Sequence, residues 1–159
     1  MNHFEYRDGV MHAEDVDLRK IVKTVGTPFY CYSSATIVRH YSIFREAFEG
    51  IDSLVCFAMK ANSNQAVIST LAGLGAGMDV VSEGELRRAI AAGIPGSRIT
   101  FSGVGKTSAE IRYAIDQRIL CFNVESEPEL QAISQIASQA HSKAPVSIRI
   151  NPDIDAQTH

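Results

Sequence analysis

Five short apolar runs, separated by four segments of helical period, constrain this chain more than any other feature. The runs are Leu54–Met59, Met78–Val81, Ile99–Ser102, Ile119–Val124 and Val146–Ile150. Between them lie Asn64–Ala76, with Val67, Leu71 and Leu74 on one face, then Glu83–Ala92, Ser108–Gln117 and Glu127–Ser142. Ser108 is placed to cap the third helix, and Ser126 the fourth, whose first turn tolerates Pro128. Helical crossovers of this length require parallel neighbours. Continuous apolar strands suit a sheet covered on both faces. Two architectures satisfy this: a doubly wound open sheet or a (β/α)8 barrel. The regular units and the lack of a dinucleotide fingerprint favour the barrel. On that reading the fold is α/β, a partial (β/α)8 barrel with about five of the eight parallel strands. It ends on the polar stretch Asp153–His159. A half-barrel of this kind would expose strand edges and an apolar face.

Residues 1–33 read differently. They are polar and irregular, punctuated by Gly9, Gly26 and Pro28. Asp15–Val25 has partial helical spacing, and Thr27–Tyr32 suggests a short strand opened by a proline. Ser33 or Ser34 then caps a helix through about Phe48, with Ile37, Tyr41, Phe44 and Phe48 on one stripe and Gly50 beyond its end.

Composition excludes several classes. The chain has 159 residues and a net charge of −3, with no basic stretch to serve as a nucleic-acid footprint. No apolar run is long enough to span a bilayer, and MNHFEYRDGV lacks the layout of a signal peptide. Cys31, Cys56 and Cys121 are odd in number and widely spaced, which suits neither a disulfide frame nor a metal clip; Cys56 and Cys121, inside apolar runs, read as small buried hydrophobes, and the set points to a reducing cytoplasm. His3, His12, His40, His141 and His159 show neither metal-ligand spacing nor a partner.

Four segments carry candidate chemistry. In Phe57–Asn64, Lys60 stands where an apolar strand runs out, the place where parallel α/β folds build their sites. A lysine partly desolvated there loses its proton more readily, and the neutral amine attacks aldehydes to form a Schiff base. The dull alternative is a solvated strand-end lysine. In Gly75–Leu86, Asp79 lies inside an apolar strand and needs a partner, a lysine or a cofactor from the next strand, unless it is half-exposed at the strand end. Ser82 and Glu85 have capping-box spacing, which makes Glu85 structural. Phe101–Thr107 superficially suggests a phosphate loop, but that motif needs glycine where this chain has Thr100. In Ser147–Asp153, Arg149 interrupts an apolar strand; it either meets an anion or points outward.

Taken in order, F-A-M-K-A-N-S-N at 57–64, G-M-D-V-V-S-E-G-E-L at 77–86, F-S-G-V-G-K at 101–106 and I-R-I-N-P-D-I-D-A-Q-T-H at 148–159 resemble the N-terminal portion of the diaminopimelate decarboxylase family. These are enzymes dependent on pyridoxal 5′-phosphate, PLP, in a class that also holds ornithine and arginine decarboxylases and alanine racemase. Alanine racemases tend to continue Ala-Tyr-Gly where this chain has Ser63-Asn64. Ornithine decarboxylases usually carry Cys where this chain has Ala61. Glu83-Gly84 departs from a glycine pair common in the family.

The resemblance implies a PLP barrel, here residues 34–159, followed by a β-rich domain with which residues 1–33 pack. It implies Lys60 as the covalent PLP anchor, Asp79 and Arg149 near the cofactor, and a homodimer with sites at the interface. The implied reaction is loss of CO2 from meso-2,6-diaminopimelate to give L-lysine. The alternatives are another basic amino acid, ornithine or arginine, or a non-catalytic PLP carrier. The family's phosphate cradle, ring-stacking histidine, pyridine-nitrogen partner and substrate-binding residues lie further along. The chain alone is therefore expected to be inactive.

Overall fold

The computed structural model describes residues 2–155 and 157. Of the segment at 148–159, residues 156, 158 and 159 fall outside that description. The chain begins with three antiparallel strands, β1 (Phe4–Arg7), β2 (Val10–Ala13) and β3 (Val16–Asp17), in the order β1-β2-β3. This corrects the irregular reading of residues 1–33. Arg7 pairs with Val10 across Asp8-Gly9, whose φ values of 49° and 75° are those of the primed turn that suits a hairpin's twist. Helix α1 (Leu18–Val25) follows, with Asp17 accepting from the Arg19 N–H at 2.8 Å as N-cap. The stretch Thr27–Tyr32 belongs to no strand. None of its residues is paired in either sheet, and Tyr30 is 90% exposed.

Helix α2 (Ser34–Glu46) starts at the buried N-cap Ser33. The N-terminal strands grip it there. Glu14 accepts hydrogen bonds from Ser33 Oγ at 2.7 Å, Ser34 Oγ at 3.3 Å and the Ala35 N–H at 2.9 Å. These bonds hold the Glu14 carboxyl below the usual carboxylate range, the Ala35 N–H contributing most. His3 bonds the Thr36 hydroxyl at 2.9 Å, so it does have a partner. Ile37 and Tyr41 pack on the core, whereas Phe44 and Phe48 of the same stripe remain 55% and 37% exposed.

The second sheet decides between the two architectures. Strands β4 (Cys56–Ala58), β5 (Gly77–Val80), β6 (Ile99–Phe101), β7 (Cys121–Val124) and β8 (Val146–Ile148) are all parallel and lie in chain order. A doubly wound sheet reverses its order at a switch point; this one does not. Helices α3 (Gln65–Gly73), α4 (Glu83–Ala91), α5 (Ser108–Asp116) and α6 (Glu127–Gln139) return the chain each time, each packing on the next as α2 packs on α3. This is the (β/α) succession of a barrel, with five strands.

Strand pairing sorts side chains by face. Met78, Val80, Ile99, Phe101, Phe122 and Val124 are buried, with Ile68, Leu86, Ile111 and Ile133 from the helices in the same core cluster. Phe101 and Phe122 stack with centroids 6.2 Å apart. The opposite face carries Ala58, Asp79, Thr100 and Cys121, which are register partners across β4 to β7. These strands therefore alternate, and their uniform apolar appearance in sequence is corrected: one face is core, the other polar. Cys56 and Cys121 are half-buried rather than buried. Gly77 is required where β4 and β5 meet, since a Cβ there would stand 2.6 Å from the Arg98 carbonyl oxygen. Helix α5 is capped by Thr107, whose own N–H donates back to the Glu110 carboxylate, and not by Ser108.

Two expectations follow from these contacts. Phe122→Ala should destabilise the chain by about 3–5 kcal/mol in urea unfolding, since a fully buried ring leaves a cavity under the sheet; a loss below about 1 kcal/mol would mean the core collapses freely. The Arg19 guanidinium bonded to Asp17 holds its carboxyl down to about 2, from 3.8. Its folded value lies below its unfolded one, so its contribution is present above 3.8 and is lost as the pH falls towards 2. Urea midpoints measured against pH should therefore fall less steeply in that window for Asp17→Asn than for the parent.

Candidate active site

A cleft of about 480 Å³ opens at the carboxyl ends of the strands, and Lys60, Asp79 and Arg149 all line it. Ser102 and Gly103 contribute from just past β6, and Asn123 and Glu125 from β7 and the residue after it. The three candidates, 89 positions apart between the first and last, are thus brought to one place by the sheet's succession.

Lys60 sits on a single 3-10 turn, Met59–Ala61, directly after β4. Met59 is fully buried and anchors that turn. The Asn62 N–H closes it on the Met59 carbonyl at 3.0 Å. Asn62 Oδ1 then accepts from the Asn64 N–H at 3.0 Å, and Asn64 caps α3 through the Ala66 N–H at 2.9 Å. Arg88 on α4 donates to the Ser63 carbonyl at 3.0 Å. The backbone under Lys60 is held at every step, while the side chain itself is exposed. The expected desolvation is not supplied by the described residues, because a turn past the strand's end carries the amine clear of the sheet.

Asp79 finds different partners from the expected lysine. Its Oδ1 accepts from the hydroxyls of Thr100 at 2.9 Å and Ser102 at 2.5 Å. Asn123 Nδ2 donates to Ser102 Oγ at 2.8 Å. A polar chain therefore runs across β5, β6 and β7 on the open face. Burial, followed by the Asp79 charge, pushes the Cys56 and Cys121 thiols up. Protonated thiols are poor nucleophiles.

Arg149 follows β8 and is exposed; its Nη1 meets Glu125 Oε2 at 3.0 Å. Its anion is a neighbouring carboxylate at the cleft's rim.

The 101–107 loop turns its lysine inward. Lys106 has 1% of its side chain exposed and pairs with Glu129 Oε1 at 2.5 Å. It also donates to the carbonyls of Gly103 at 2.7 Å and Asn123 at 2.9 Å. Sequence reasoning missed this pair. One signal was present: Ser126 and Glu129 repeat the spacing of Ser82 and Glu85. In both units the glutamate accepts the N–H of the residue before the cap, Val81 and Glu125, at 2.8 Å. That recurrence marks Glu129 as a carboxylate turned back on its own helix start, and the cation it meets is set by the fold.

An exposed primary amine on a stiff turn, above a cleft with a fixed carboxylate and hydroxyls, can capture an aldehyde-bearing small molecule. Comparison with known proteins narrows the class. Residues 34–159 match the family described as pyridoxal-dependent decarboxylase, pyridoxal binding domain. A diaminopimelate decarboxylase of Vibrio cholerae is 51% identical over 160 residues, spanning 100% of this chain and 38% of that protein. The crystal structure of diaminopimelate decarboxylase from Helicobacter pylori complexed with L-lysine superposes with a TM-score of 0.86 at 49% identity, covering 90% of this chain and 36% of that one. A lysine decarboxylase structure from Selenomonas ruminantium gives a TM-score of 0.78 at 25% identity over 95% of this chain and 38% of that one. The chain spans about 38% of the length of the curated relatives it matches. The enzymes it superposes on carry the barrel whose first strands are seen here. Through residues 34–159, the chain belongs to the pyridoxal-dependent decarboxylases.

Proposed function

We propose that this chain is the N-terminal part of an enzyme that decarboxylates meso-2,6-diaminopimelate to L-lysine and CO2, with PLP anchored on Lys60. The observation that carries the reading is Lys60 itself, an exposed amine on a fully anchored turn at the carboxyl end of β4, over a shared cleft with Asp79 and Arg149. Identity supports the substrate: 51% to a protein named diaminopimelate decarboxylase, against 25% to a lysine decarboxylase.

The residues present fit part of the cofactor. Lys60 Nζ is an accessible nucleophile for an aldehyde carbon, and the cleft's 480 Å³ lies in the range of small-molecule sites. When bound, PLP supplies an electron sink that accepts the pair left by departing CO2. The chain's own contribution is placement. The Met59 anchor and the Arg88 bond to Ser63 fix where Lys60 stands. Asp79, its Oδ1 held by two hydroxyls, stands at a fixed position on the cleft wall. Arg149, partly balanced by Glu125, holds a cation at the β8 rim. On this reading the rest of the relatives' length completes the barrel and adds a β domain. Residues 1–33 pack with that domain. The protein works as a cytoplasmic homodimer, and this chain alone is inactive.

The test is chemical. Incubating the chain with PLP, reducing with borohydride and mapping peptides by mass should place a pyridoxyl group on Lys60, and Lys60→Ala should abolish it. Equal labelling of the exposed Lys20, Lys23 and Lys143 would sink the assignment. Diaminopimelate added to the PLP-treated chain should release no CO2, whereas Lys60→Ala in a protein of the relatives' length should abolish release.

A further inference from the structure

The geometry points to Lys106 as a positioning residue, one that locks the loop after β6 to the end of β7 and, through Glu129, to the Glu125–Arg149 pair, so that the cofactor cleft keeps its shape. The inference rests on the proposed PLP reading of that cleft.

A buried lysine needs a reason. Its charge is costly to desolvate, and a methionine of similar length would fill the same space without that cost. Here all three ammonium protons are used. Two go to carbonyls on separate units, Gly103 in the β6–α5 loop and Asn123 in β7. The third goes to Glu129 on α6. The second oxygen of Glu129 accepts the Glu125 N–H, and the Glu125 carboxylate bonds Arg149.

Both ends of this chain of contacts reach the cleft: Gly103 and Asn123 on one side, Glu125 and Arg149 on the other. Gly103 sits at φ 96°, a backbone conformation that glycine adopts freely and L side chains rarely do, and its carbonyl is one of the groups Lys106 holds. The side chain of Asn123 extends the same network to Ser102 and Asp79. Lys106 touches no ligand position itself. It acts through the groups it fixes, with the ion pair specifying geometry more than adding stability.

Two variants separate positioning from simple stabilisation. Lys106→Met leaves Glu129 buried without its cation and should lower the thermal midpoint. Lys106→Met with Glu129→Gln removes both charges, keeps an acceptor for the Glu125 N–H, and should recover most of that midpoint. In the double variant, amides at 103–105 and 125 should still exchange hydrogen faster than in the parent. PLP affinity, followed by titration of absorbance, should stay roughly tenfold weaker, while borohydride trapping still labels Lys60. A double variant with parental exchange and affinity, or one as unstable as the single variant, would overturn the inference. If the parent itself takes no PLP on Lys60, the cofactor reading fails, and the exchange comparison, made without ligand, still decides the role of Lys106.

Discussion

The cleft depends on the in-register pairing of four parallel strands. Ala58, Asp79, Thr100 and Cys121 form one row across the sheet, and their neighbours along each strand face the helices. A slip of one residue in any strand would exchange the two sets, turning Asp79 or Thr100 into the core and a bulky apolar side chain into the cleft. Phe101, Phe122, Met78 and Ile99 are all fully buried on the helix side. The hydrophobic demand of one face thus fixes the chemistry of the other, and the hydroxyl pair that holds Asp79 is a by-product of correct packing.

Two lysines near strand ends show how little the residue type alone decides. Lys60 follows β4 on a tight turn nailed down by Met59, which lifts its amine into the open. Lys106 lies five residues past Phe101, beyond a glycine loop that folds back and carries its ammonium beneath the surface. The first is placed to react, the second to hold. Their difference comes from the backbone between strand and lysine.

Local, repeating signals were legible in the sequence. The helical periods, the caps at Ser82 and Ser126, and the succession of units all follow from rules acting over a few residues. Asp8-Gly9 was equally legible as a hairpin turn, and Phe4-Glu5-Tyr6-Arg7 before it alternates, but strands of only four residues give a weak periodic signal. Asp79, Lys60 and Arg149 were visible as odd residues in or after apolar runs. Their meeting at one cleft follows from strand order, which periodicity does not encode. The Lys106–Glu129 pair spans 23 positions and joins residues each with an ordinary local explanation, a loop lysine and a helix-capping glutamate. Only the fold brings them together.

The grip of Glu14 on the start of α2 bears on how this protein is divided. The family match begins at residue 34, the first residue of that helix. A physical boundary would be a place where few bonds cross. Here one carboxylate upstream accepts from Ser33, Ser34 and Ala35 at once. An excision at the statistical edge would discard both the N-cap residue Ser33 and the acceptor that orients it. The boundary of the family match and the boundary drawn by hydrogen bonds therefore fall at different residues.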